Sequence, residues 1–179
     1  MQRSKIMGTQ RLILLIINII GGAAVILSYI YGLRGQVGGA NVLWGNVSTS
    51  IRPIYFVSMI ISALGYFAFI YYVLFRIDPA ESNVNYYLFY AIFLVIVTAS
   101  AFWMPLTNMY VGNPSASLWI ALRGVLAMVA LGSIGLVWAL LSLHPFTRGA
   151  VYWLAVAGAG YFAFHTTVLD AITWAALFR

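Results

Sequence analysis

"MQRSKIMGTQRLILLIINIIGGAAVILSYIYGL", residues 1–33, decides the fold class. A basic lead carrying Arg3, Lys5 and Arg11 gives way to an apolar run of about 22 residues, enough to cross roughly 30 Å of hydrocarbon at about 1.5 Å per residue. A cleavable secretory signal has a shorter apolar region, so the stretch reads as a retained first span. Four more runs of similar length follow, and spans are expected near 12–33, 54–75, 86–103, 118–143 and 150–177. With 64% apolar and 7% charged residues, the chain lies outside the range of soluble domains. The expectation is an all-α integral membrane protein, a single five-transmembrane-helix bundle over 1–179 whose solvent is the lipid bilayer.

The net charge of +6 comes from nine Lys and Arg, scattered singly and mostly where helices should end. That is the pattern of interface anchors, and it excludes a nucleic-acid partner. The chain has no cysteine, two histidines and three acidic residues, which leaves no recognisable metal cluster. Arg3, Lys5, Arg11, Arg76 and Arg148 collect on one face, and Arg34, Arg52 and Arg179 on the other. The bias puts the N-terminus on the cytoplasmic (or equivalent) side and the sequon Asn46-Val47-Ser48 opposite. Tyr71, Tyr72, Tyr86 and Tyr87 are expected to form an aromatic belt at the inner interface. Small residues at 21–24, 124–135 and 155–160 suit close helix contacts. The connections "RIDPAESN", "TNMYVGNPSAS" and "HPFTR" are short, His144 falling in the last of them. The first link, 34–53, is long for so small a protein, and loops of that kind are usually functional.

Two charges fall inside spans, Arg123 in the fourth and Asp170 in the fifth. Consecutive spans are antiparallel, so both should lie about 8–11 Å below one surface. Charges in hydrocarbon turn inward and find partners, and an Arg123–Asp170 ion pair is expected, completed by Thr166 and Thr173 at helical spacing from the acid. Three readings stay open: a pair that fixes helix register, a pair that lines a ligand cavity, and an Arg123 that snorkels while Asp170 is protonated. His165 precedes Asp170 by five residues, about 140° around an α-helix, so the two should not share a face. A satisfied buried histidine is its plainer reading. The tryptophans anchor at span ends or, facing inward, stack a planar ligand; Trp103 and Trp174 are placed best for the second role.

Two patches carry a resemblance: Trp103, Met104, Pro105 and Leu106 at the end of the third span, and Thr166, Thr167, Leu169, Asp170 and Trp174 in the fifth. With the long first loop and five spans, they resemble the TspO/MBR family of tryptophan-rich sensory and translocator proteins. Asp170 stands where that family has Asn, and Trp44 and Pro53 lie apart where the family has a compact Trp-x-Pro-Pro. The resemblance implies a bundle, often dimeric, with a cavity near the 34–53 loop for a tetrapyrrole- or sterol-like ligand. The lining it implies is Trp44, Tyr55, Trp103, Arg123, His165, Asp170 and Trp174. An acid there favours a ligand with a cationic or donor group.

The function expected is the binding or transport of a small apolar, planar ligand, with no covalent chemistry and no resident cofactor assigned. The alternative is a non-catalytic accessory subunit of a larger membrane complex. An enzyme is not expected, because the sequence shows no Ser/His or paired-carboxylate arrangement, and no ring of polar groups suggests ion conduction.

Overall fold

The computed structural model describes residues 2–34, 39–143 and 149–178, and among them every regular element is helical. The side chains of Arg3 and Lys5, and residues His144, Arg148 and Arg179, lie outside this description. α1 (Gln2–Arg34), α2 (Arg52–Phe75), α3 (Tyr86–Gly112) and α4 (Ala116–Leu141) are each long and apolar enough to cross a membrane. A fifth helical rod follows without interruption: α5 (Ala150–Phe164), a π-helical segment (His165–Trp174) and α6 (Ala175–Leu177). By length and composition the helices able to cross number four rather than five, because the last rod changes its winding at His165 and neither α-helical piece is long enough alone.

Local chemistry sets the helix starts. Pro53 sits in the first turn of α2, where its missing N–H costs nothing. The side chains of Asn85 and Ser115 accept from Tyr87 N at 3.0 Å and Leu118 N at 3.2 Å, capping α3 and α4. α3 does not stop at Pro105, as the Trp-Met-Pro stretch suggested, but runs on to Gly112. Pro105 is exposed, and Thr107 Oγ1 donates to Trp103 O at 2.8 Å in the turn around it. Neighbouring groups of this kind let a membrane helix carry a proline.

Helix α1 packs along α3, α3 along α4, α4 along the fifth rod and the rod along α2; α1 and α2 approach at few points. Small residues make the crossings. A Cβ built on Gly65 would stand 2.7 Å from Gly158 O, so α2 and α5 touch backbone to backbone. Gly132 on α4 makes room for the Ile96 side chain of α3. One apolar cluster, around Leu14, Phe69, Phe89, Phe93 and Leu140, fills the half nearer the N-terminus. A second, around Tyr55, Trp119, Leu122, Trp174 and Phe178, fills the half under the first loop. Along α2 and the rod, Ser58, Ser62, His165 and Thr166 fall between the two, all buried.

The expected aromatic belt is only half present. Tyr71 and Tyr87 are exposed, but Tyr72 and Tyr86 are buried, and Tyr86 OH donates to Val73 O at 3.0 Å. Adjacent tyrosines on a helix point about 100° apart, so each pair splits between lipid and core.

Candidate functional site

The segment "HTTVLDAITW" (165–174) is wound as a π-helix. With i→i+5 hydrogen bonds, residues five apart stand over one another. His165 and Asp170 therefore share a face, and Nε2 lies 3.6 Å from Asp170 Oδ2. The 140° separation expected for an α-helix does not apply here. The ion-pair expectation is corrected too, by the azimuth of Arg123 on α4. No ion pair joins Arg123 to Asp170 among the described residues, and Arg123 is exposed on the flank of α4 with Ile120, Ala127 and Leu131. The buried stripe of α4 is Trp119, Leu122, Leu126, Val129 and Ser133, and Arg123 falls beside it. Thr166 and Thr173 do not complete an acid site either. Thr166 Oγ1 meets Ser133 Oγ at 2.8 Å, and Thr173 Oγ1 donates to Val168 O at 2.7 Å.

The other nitrogen of His165, Nδ1, lies 2.8 Å from Ser58 Oγ on α2. Tyr161 OH, one turn before His165, donates to the same Ser58 oxygen at 3.1 Å. With the ring proton on Nε2, facing the carboxylate at 3.6 Å, Nδ1 accepts the Ser58 hydroxyl proton, and Tyr161, Ser58 and His165 form one hydrogen-bonded chain that ends beside Asp170. Ser58 and Tyr161 also line a cleft of about 380 Å³ on the α2/α5 flank, walled by Pro53, Ile54, Val57, Phe164 and Leu169.

Beyond Asp170 the walls are aromatic. Tyr55 OH (α2) donates to Leu169 O at 3.0 Å, next to Asp170 in the rod. Trp103 packs against Tyr29 with ring centroids 5.5 Å apart and against Trp174 at 5.4 Å. Trp174 Nε1 donates to Leu43 O at 3.1 Å, tying the rod to the 3₁₀ turn Ala40–Trp44 of the first loop. Trp44 packs edge-on to Tyr55 at 5.6 Å, and the Arg52 guanidinium sits 5.6 Å from the Trp44 ring. Asn46 N donates to Leu177 O at 3.0 Å. Gly45, at φ +50°, lies against the Phe178 carbonyl, where any Cβ would overlap it. The loop thus covers the end of the last helix.

Six of the seven residues named from sequence meet in this region: Trp44, Tyr55, Trp103, His165, Asp170 and Trp174. Arg123 does not. Sequence reasoning missed Ser58, Tyr161 and Tyr29. The readable signal was Ser58 and Ser62, two hydroxyls at helical spacing in an otherwise apolar span, with Tyr161 four residues before His165. No known protein family, curated protein or solved structure matches the chain.

Proposed function

We propose that the chain is a five-span membrane protein that binds or carries a small, flat, apolar ligand in the aromatic chamber beside Asp170. The observation that supports this reading is the run of packed aromatic rings beside the last helix, Tyr29–Trp103–Trp174 and Trp44–Tyr55, at the same end of the bundle as Asp170, whose side chain is 34% accessible. Aromatic walls favour a planar apolar body, and the acid favours a cationic or hydrogen-donating group upon it. Trp103 Nε1, buried without a hydrogen-bond partner among the described residues, offers one further donor. The TspO/MBR resemblance supports a tetrapyrrole- or sterol-like body. In this reading the rod from Ala150 to Leu177 crosses as the fifth span, and the Arg11 and Arg76 ends face the cytoplasm or its equivalent.

The test is quenching of tryptophan fluorescence in nanodisc-embedded protein titrated with protoporphyrin IX, and a parallel thermal-shift titration with cholesterol. Saturable binding of one of them, weakened about tenfold or more in Trp103→Ala, supports the chamber. Unsaturable quenching that is identical in Trp103→Ala and Asp170→Asn refutes it. The second reading, an accessory subunit or homodimer, draws on the aromatic flank of α2, where Phe56, Phe67, Tyr71 and Phe75 are all exposed. A native mass well above one chain in mild detergent would favour it.

A further inference from the structure

We propose that Ser58 is the nucleophile of an intramembrane acyl-transfer centre that opens on the α2/α5 cleft and acts on the ester bonds of membrane lipids. This goes beyond the proposed ligand site and does not depend on it. Three side chains separated by up to 112 residues in sequence converge: Ser58 Oγ is 2.8 Å from His165 Nδ1, and His165 Nε2 is 3.6 Å from Asp170 Oδ2. A serine in contact with a base that is itself oriented by a third group is the arrangement that turns a weak hydroxyl into a nucleophile. Such triads are recognised by roles and distances rather than by chain order. The two imidazole nitrogens have exchanged places relative to the serine-protease arrangement, which leaves the chemistry unchanged because either nitrogen can take the proton while the other donates.

A fourth group stands where the reaction needs it. Tyr161 OH is 3.1 Å from Ser58 Oγ and lines the same cleft, so it can pass its hydrogen bond from the serine to the carbonyl oxygen as negative charge develops there. The remaining walls, Pro53, Ile54, Val57, Phe164 and Leu169, are apolar and suit an acyl chain. Depth agrees as well. Ser58 is six residues beyond Arg52, the first residue of α2, or about 9 Å along the axis, so it lies nearer the headgroups and their ester linkages than the centre of the bilayer. The sequence could not show this, because Ser58 and His165 meet only when Gly65 and Gly158 bring α2 and α5 into backbone contact.

The step balances without any further reagent than an acceptor hydroxyl. Ser58 Oγ forms a bond to the ester carbonyl carbon as its proton passes to His165 Nδ1, and Tyr161 OH holds the oxyanion. Collapse breaks the carbon–oxygen bond to the alcohol, which leaves with the proton from His165. Water, or the hydroxyl of a second lipid, then gives its proton to His165 as it attacks the acyl carbon, and His165 returns that proton to Ser58 Oγ as the bond from Ser58 to the acyl group breaks. Asp170 touches no reacting atom; it is a positioning residue whose charge, 3.6 Å from Nε2, favours the tautomer with the proton on that nitrogen.

The experiment is covalent labelling of the full chain in nanodiscs with hexadecyl fluorophosphonate, read by intact mass and peptide mapping, alongside fatty-acid release from a fluorescent diacylglycerol. A single adduct on Ser58 with release of fatty acid is expected. Both should vanish in Ser58→Ala. Labelling should fall by about 10³-fold in His165→Gln and about 10²-fold in Tyr161→Phe, and proceed normally in Ser62→Ala, whose hydroxyl is one turn away. Asp170→Asn should slow labelling and shift its pH profile, which a merely structural change would not do. An adduct only at another residue, or no adduct together with fatty-acid release no greater than in Ser58→Ala, overturns the proposal.

Discussion

At the scale of single residues, His165 carries the most consequence, because it links Ser58 on α2 to the acid of the last helix. His165→Leu takes away the acceptor of the Ser58 hydroxyl proton and leaves only the Tyr161 contact, and a buried donor without its acceptor costs about 1–3 kcal/mol. Ser58→Ala in the same chain removes the orphan, so the double variant should recover about 1 kcal/mol, within the range measured for polar pairs in membranes. Denaturation in bicelles with a double-mutant cycle checks this; strict additivity would show that the two side chains do not interact. Much of this scale was legible beforehand. An aspartate inside an apolar run must turn inward, and Asp170 does. Its partner was not legible, since the 140° estimate assumed an α-helix and Arg123 looked better placed by depth alone. Depth does not fix azimuth, and Arg123 falls on the lipid side of its helix.

At the scale of elements, the π-helical segment and the α2/α5 crossing decide the site. Removing the exposed Val168 takes one residue out of the widened winding, so the segment can close into an α-helix with His165 and Asp170 now four apart and still on one face. Removing the exposed Ala157 from regular α5 instead swings Tyr161 and His165 about 100° away from Ser58. Thermal unfolding in detergent should leave the first deletion folded within a few degrees of wild type and the second far lower; equal losses would refute this account of the π winding. Gly65→Leu should push α2 off α5, since even a Cβ there would lie 2.7 Å from Gly158 O. Overpacking of this sort typically costs about 1–3 kcal/mol, and lowered thermal stability with lost Ser58 reactivity is the expected reading. Helix existence was readable from apolar runs. The winding was not, because nothing in the composition of 165–174 separates π from α; tertiary contacts such as Thr166 with Ser133 and Tyr55 OH with Leu169 O hold it.

At the scale of the whole molecule, α1 is an outer helix that packs mainly on α3 and leaves Ile16, Ile20, Ile26 and Leu27 exposed. Lipid must cover that face. The protein should therefore stay in the membrane through an alkaline carbonate wash, and appearance in the supernatant would refute the bilayer assignment. The absence of cysteine makes topology directly measurable. Thr49→Cys and Ala80→Cys should react with a membrane-impermeant maleimide from opposite sides, and Gly149→Cys from the same side as Ala80→Cys if α4 crosses. What the amino-acid order pointed to alone was the solvent: apolar runs of span length, with all but two charges, Arg123 and Asp170, outside them, suit a helical membrane protein, because hydrocarbon leaves backbone groups no other partners. What only the tertiary structure decided was which polar side chains meet. Spacing within one helix says little about azimuth once the winding changes, and nothing about a serine and a histidine 107 residues apart until glycines bring their helices together.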